Sequence, residues 1–274
     1  MKRTLSFLVI LFFLAACGQS QSTPPTPTED TLTGKLTFAG STTMQPLVAR
    51  LGDEFRSVHP HVTLDIAAGG SAVGIKAIHD GTTDIGMTSR ALTTDEAQGI
   101  NQYQVAIDVL ALVVHPANPV KNLSLAQLQD IYMGRIINWK NLGGPDLVIV
   151  PVQRETSSGS RGAFDELVLQ NKTATADKLI TTATAGDEAA NVANNPGAIG
   201  YIGFGNMDST IKVITINGIL PTQATALDHS YPLTRPLIFM SGPLSQPLAQ
   251  TFIDYALSAQ GQKSVQDLGW VPIK

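Results

Sequence analysis

Short apolar stretches alternate with amphipathic ones along the chain from residue 33 onward. Residues 35–39 predict a strand that runs into Gly40-Ser41-Thr42-Thr43. Leu47, Val48, Leu51, Phe55 and Val58 then recur at helical spacing until His59-Pro60 ends the run. Residues 62–67 predict a second strand, Gly69-Gly70-Ser71 a turn, 73–80 a helix, and 83–87 a third strand leading to Thr88-Ser89-Arg90. The apolar stretch over 103–114 predicts one or two strands, stopped by His115-Pro116. A helix over 124–132 has Ser124 as its cap and Met133-Gly134 as its stop. Residues 138–144 form a turn-rich loop and 147–152 a strand, and a polar loop over 154–160 opens a helix over 161–169. The pattern continues with a helix over 186–195, strands near 198–201, 212–216 and 237–239, and a closing helix over 245–259. Alternation of this kind is the signature of an α/β protein. No internal repeat is evident.

The first residues follow a different pattern. Lys2 and Arg3 precede an apolar run over 5–13, and Leu14-Ala15-Ala16-Cys17 follows. The run has the length of a signal-peptide core and falls short of the ~20 residues that span a bilayer. Small residues before a cysteine match the lipobox of bacterial lipoproteins, in which the cysteine is diacylated and becomes the new N-terminus. Cys17 is the only cysteine of the chain, so no internal disulfide or multi-thiolate metal site is available. Residues 18–32, with Thr23-Pro24-Pro25-Thr26-Pro27-Thr28, offer little that packs and predict a tether between membrane and folded body. The expected location is therefore the extracytoplasmic face of a membrane, anchored by lipid.

The remaining body is long enough for two modest lobes or one large domain. Its charge changes the picture only by exclusion. The net charge is −4, charged residues make up 15% of the chain, and no basic block interleaved with aromatics occurs, which argues against nucleic acid. An anionic ligand would have to be attracted by a local pocket.

The candidate chemistry lies in the turns. Helix N-termini present unpaired N–H groups and about half a positive charge. Hydroxyls add donors that rotate to suit, and an arginine adds a charged fork. Ser41-Thr42-Thr43, Gly70-Ser71, Ser89-Arg90 and Arg154 with Ser157-Ser158-Gly159-Ser160-Arg161 supply these groups. Each turn taken alone is also what any helix cap uses. Residue chemistry by itself leaves open an oxyanion receptor, an enzyme acting on phosphoesters, and a surface lipoprotein without ligand.

An enzyme needs a base beside its nucleophile. His59, His61, His79, His115 and His229 all lie outside these turns, and no G-x-S-x-G, H-E-x-x-H or Cys-His metal spacing occurs. Neither metal nor cofactor is expected. Asp53-Glu54 and Asp95-Glu96 read as exposed helix starts, Asp84 as a stabiliser of its strand turn, and Trp139 and Trp270 as packing residues.

The turns, read together, resemble the phosphate-binding proteins of bacterial high-affinity phosphate ABC importers, of the type 2 periplasmic binding protein group. The specific pieces are residues 40–47 (GSTTMQPL), 68–74 (AGGSAVG), 84–90 (DIGMTSR), 133–144 (MGRIINWKNLGG), 154–161 (RETSSGSR) and 196–201 (PGAIGY), in the order that family has them. The resemblance implies an α/β fold of two lobes, each a mixed sheet flanked by helices, joined by two crossover strands. Lobe 1 would comprise 33–112 and 232–274, and lobe 2 would comprise 113–231. It further implies that a monomer encloses inorganic phosphate between the lobes and hands it to an ABC permease. Ligand contacts carry over to Thr42, Thr43, Ser71, the Ser89 position, Arg154, Ser158, Gly159 and Ser160, with Ser41 and Arg90 as additions. Many relatives have Asp at the Ser89 position, where a carboxylate accepts the proton of hydrogen phosphate. Selectivity over sulfate or molybdate and tungstate must then come from elsewhere or be weaker, and Arg90 could favour a more highly charged anion.

Overall fold

The computed structural model describes residues 32–243 and 245–273. The predicted signal segment, Cys17 and nearly all of the tether lie outside them. The described body forms one compact unit.

Strand β1 (Gly34–Gly40) pairs in parallel with β2 (Val62–Ala67) on one side and β3 (Ile85–Thr88) on the other. Between them run α1 (Gln45–Val58) and α2 (Ser71–His79). Helix α1 has Pro46 in its first turn, where a missing N–H costs nothing, and buries Leu47, Val48, Leu51 and Phe55. The apolar stretch read as one or two strands is one long strand, β4 (Asn101–Val114). Its first half pairs antiparallel with β10 (Thr234–Ser241), with a register shift at Leu237/Ile238. From Leu110 onward it pairs instead with β8 (Ala198–Gly203), and its last residues also pair with β9 (Lys212–Ile216). β4 thus passes from one half of the molecule to the other. The return path is tied alongside it, since Leu110 N donates to Leu233 O at 2.9 Å.

The second half holds β5 (Asn122–Leu123), α3 (Leu125–Tyr132), β6 (Val150–Arg154), α4 (Gly159–Leu167), β7 (Ile180–Thr182), α5 (Ala185–Asn194) and α6 (Gln223–Leu227). Among the described residues the main strand order is β2-β1-β3-β10-β4-β8-β6-β7, with β5 and β9 attached beside β4. The chain closes with α7 (Pro247–Leu257) and α8 (Ala259–Asp267).

Each half has its own core. Leu36, Phe38, Phe55, Phe239, Phe252 and Trp270 fill the first, with Phe38 edge-on to Phe252 at 5.0 Å. Leu128, Tyr132, Trp139, Phe164 and Tyr201 fill the second, where Phe164 stacks on Tyr201 at 4.0 Å. Both tryptophans are buried packing residues whose indole N–H finds a partner: Gly197 O for Trp139 and Asp108 Oδ1 for Trp270, each at 2.9 Å.

Several local expectations are corrected. Asp53 and Glu54 lie inside α1 rather than at its start, and Glu54 accepts from Tyr255 and Ser264, which fastens α1 to α7 and α8. Asp95 and Glu96 lie in a turn segment, not a helix. The closing helix is two helices, because Ser258 leaves the helical conformation and caps α8 by accepting from Gly261 N. Helix α4 begins at Gly159, two residues before the predicted start, with Ser158 as its cap. No helix follows Thr88-Ser89-Arg90 directly. Asp84 does stabilise its turn, accepting from Thr37 N at 2.8 Å and Thr37 Oγ1 at 2.7 Å.

Candidate functional site

The ends of β1, β3 and β6 and the starts of α1, α2, α4 and α5 meet between the two halves. The approach is close enough to require glycine at defined points. A Cβ on Gly40, whose φ is +132°, would stand 2.2 Å from Met87 O and 3.1 Å from the Gly74 backbone. Ser41 N therefore reaches Met87 O at 3.0 Å, and the chain turns through Thr42 and Thr43 into α1. From the other half, Ser157 O accepts from Ala72 N at 3.0 Å, which joins the α2 start to the loop before α4.

This geometry gathers buried hydroxyls into one cluster. Ser41, Thr42, Thr43, Ser71, Ser89, Ser158 and Ser160 are all buried. Ser41 Oγ donates to Ser89 Oγ at 2.9 Å, and Ser89 N donates to Ser71 Oγ at 3.1 Å. Across the halves, Thr43 Oγ1 and Ser160 Oγ lie 3.1 Å apart. Ser158 Oγ accepts from Arg161 N as the cap of α4, so its hydroxyl serves the helix.

Arg154, at the end of β6 and 1% exposed, donates from Nη2 to Thr42 Oγ1 at 3.1 Å and to Ala183 O at 2.6 Å. Burial lowers its pKa, while the nearby Glu188 opposes that shift. Arg161, in contrast, is taken up structurally: Nε pairs with Asp165 and Nη1 donates to Arg154 O at 3.1 Å, which braces the backbone at Arg154.

Arg90 stands apart from the hydroxyl cluster. Its guanidinium makes a two-point pair with Glu96, 2.7 Å at both Nη1 and Nη2. That arginine holds the Glu96 carboxyl down at about 2.

Three contributors were missed from the sequence. Arg235 on β10 sits opposite Asp108 on β4 in the antiparallel register, and the two side chains form an ion pair at 2.7 Å, both essentially buried. Arg235 Nη1 donates to Ser160 Oγ at 2.7 Å. The available signal was a lone charge of opposite sign in each of two apolar strand runs, because buried charges are stable only when paired. Glu188 on α5 is the second; it is buried beside Arg154, and burial pushes its carboxyl up to about 8 although Oε1 accepts from Tyr201 N at 3.0 Å. The third is the start of α5, capped by Thr184, where Ala185 N donates to Thr42 Oγ1 at 3.4 Å. The fourth helix terminus of the site is therefore α5, in place of the turn at 88–90. A cleft of about 430 Å³ opens beside Thr42, lined by Gln45, Pro46, Thr184, Ala185 and Asn206.

Two α/β halves linked by shared strands, with hydroxyls, helix starts and guanidinia converging between them, define a substrate-binding protein of the two-lobe periplasmic type. The PBP superfamily domain matches residues 25–260. The phosphate-binding protein PstS of Bacillus subtilis is 32% identical over 99% of this chain and 94% of its own length. A Clostridium perfringens crystal structure with bound phosphate, assigned as a phosphate ABC transporter substrate-binding protein, superposes with a TM-score of 0.84. It is 35% identical and covers 88% of this chain and 100% of that one. An ABC-type phosphate transport receptor from Vibrio cholerae gives a TM-score of 0.72 at 33% identity, covering 86% of this chain and 99% of that one. The chain belongs to the PstS family of phosphate-binding proteins within the PBP superfamily.

Proposed function

We propose that this protein captures inorganic phosphate between its lobes and delivers it to the permease of an ABC importer. The observation that carries the reading is the buried cluster itself: hydroxyls from Ser41, Thr43, Ser89 and Ser160 meet at the N-termini of α1, α2 and α4, with Arg154 at its edge. Such a cluster serves a tetrahedral anion through many neutral donors and a charged fork. Thr42, Thr43, Ser71, Ser89, Arg154, Ser158, Gly159, Ser160 and Ser41 remain the proposed contacts, and Arg90 is left to its partner Glu96.

The lobes divide at 33–112 with 232–274 against 113–231, and their closure presents the surface that the permease reads. The protein acts as a monomer tethered outside the cytoplasm by lipid on Cys17. No helix of the described residues is long and apolar enough to cross a membrane. Relatives matched over 99% and 87% of this chain are phosphate-binding proteins by name.

Calorimetry of the purified chain with phosphate, followed by competition with sulfate and molybdate, tests the reading. Saturable one-to-one phosphate binding is expected. No heat and no thermal shift with millimolar phosphate would refute it, and turnover of a phosphoester would replace it with an enzyme.

A further inference from the structure

Arg235 has no role in the family-based assignment, yet it is built into the same cleft. Asp108 Oδ2 accepts from Nε at 2.9 Å and from Nη2 at 2.7 Å, which fixes the plane of the guanidinium. The other carboxylate oxygen, Oδ1, accepts from Trp270 Nε1 and Phe204 N, both at 2.9 Å. Asp108 is thus fully engaged, and its orientation is set by the core of the first half. Gly203 leaves the room for this arrangement: a Cβ there would stand 2.3 Å from Asp108 Oδ2 and 3.0 Å from Arg235 Nη2.

The opposite edge of the guanidinium faces hydroxyls alone. Nη1 lies 2.7 Å from Ser160 Oγ and 3.5 Å from Ser89 Oγ, and Nη2 lies 3.4 Å from Thr43 Oγ1. Those three residues come from three different strand-end turns, and all belong to the proposed anion contacts. Packing alone gives no reason for the pair, because a buried ion pair is roughly neutral or unfavourable compared with apolar residues of the same volume. Arg161 shows what a structural arginine looks like in this protein: its edges meet a carboxylate and a carbonyl, and no hydroxyl of the cluster.

We propose that Arg235, aimed by Asp108, is a second charged contact of the bound anion, facing Ser89 and Ser160 while Arg154 holds the Thr42 side. The proposal rests on the cleft being the anion site. It also gives a site with Ser89 in place of a carboxylate a second positive charge for the anion. Arg154 and Arg235 bracket the hydroxyls, Asp108 has no lone pair directed into the cluster, and the anion is read by its charge. The positive charge that the sequence suggested at Arg90 is supplied instead by Arg235.

The test is phosphate calorimetry on the purified chain and two variants. The double variant Asp108→Asn with Arg235→Gln keeps the shape of the pair and removes both charges together, so no unpaired charge is left buried. It should melt cooperatively and bind phosphate on the order of 10²-fold more weakly. Arg235→Lys keeps the charge opposite Asp108 but loses the planar fork, and should bind about tenfold more weakly. A folded double variant with wild-type phosphate affinity would overturn the proposal and leave the cleft assignment standing. If the double variant does not fold, wild-type affinity in Arg235→Lys overturns it equally. Absence of binding in the wild-type chain would remove the cleft assignment and this proposal together.

Discussion

Gly159 and Ser71 approach so closely across the cleft that a Cβ on the glycine would stand 2.2 Å from the serine Oγ, and 2.7 Å from that of Ser89. Gly159 is the first residue of α4, and Ser71 is the first residue of α2. The contact between these two turns therefore depends on one side chain being absent.

Gly159→Ala should cost both stability and binding. Gly159 is the first helical residue, so the propensity gain of a helix interior does not apply. A methyl there would meet the Ser71 and Ser89 hydroxyls, so the unliganded variant should melt earlier than wild type. The added methyl should keep the lobes from meeting and weaken phosphate binding by at least about 2 kcal/mol, in the range of overpacking costs. Thermal melts with and without phosphate check both halves. A variant that binds normally would show that closure does not bring these turns together.

Arg154→Ala should cost about 2–5 kcal/mol of anion affinity, because it removes a buried, hydrogen-bonded charge. It also frees Ala183 O and Thr42 Oγ1, so some loss of stability should accompany it. Arg161→Ala acts on the ligand only through the Arg154 backbone and should have a smaller effect on affinity. Calorimetry on the two variants, side by side, tests the difference in role.

Glu188 should make stability depend on pH in an unusual direction. Its carboxyl rises from 4.5 to about 8 on folding because the charged form is desolvated. Between those values the folded state holds a proton that the unfolded state has released, so this group's contribution to stability falls as pH rises. The slope is at most about 1.4 kcal/mol per pH unit for one proton. Glu188→Gln keeps an oxygen for Tyr201 N and removes the titration. Its stability relative to wild type should therefore grow from pH 5 to pH 8 in urea titrations, and a constant difference would contradict the assignment.

Ser89→Asp should sharpen selectivity. A carboxylate beside Ser41 Oγ and Ser71 Oγ can accept the proton of hydrogen phosphate, whereas sulfate offers none and is repelled. The ratio of sulfate to phosphate affinity should fall by at least about tenfold relative to wild type. An unchanged ratio in competition titrations would show that the residue at 89 does not face the anion.

Much of the site was legible because its parts are local. A hydroxyl residue before a helix, or a glycine at a strand end, acts on backbone groups two or three residues away, and the sequence displays that spacing directly. Ser124 and Ser158 cap α3 and α4 in this way, whereas Ser71 accepts from Ser89 N and Asp84 from Thr37, both distant in sequence. Boundaries were less secure where local rules competed. Helix α4 starts at Gly159, a poor helix former, because the Ser158 cap and tertiary contacts outweigh propensity there.

The chain alone determined the alternation of strands and helices and the chemistry of the turns. Both follow from hydrogen bonding and hydrophobic period over short stretches, while the choice of Arg154 among the arginines of those turns came from the family resemblance. The tertiary structure alone decided which charges enter the cleft. Arg235 meets Asp108 across 127 residues of sequence through the register of β10 on β4, whereas Arg90, adjacent to Ser89, is claimed by Glu96. Neighbourhood in sequence says little about direction at the end of a strand. Strand pairing fixes direction, and it is a long-range property.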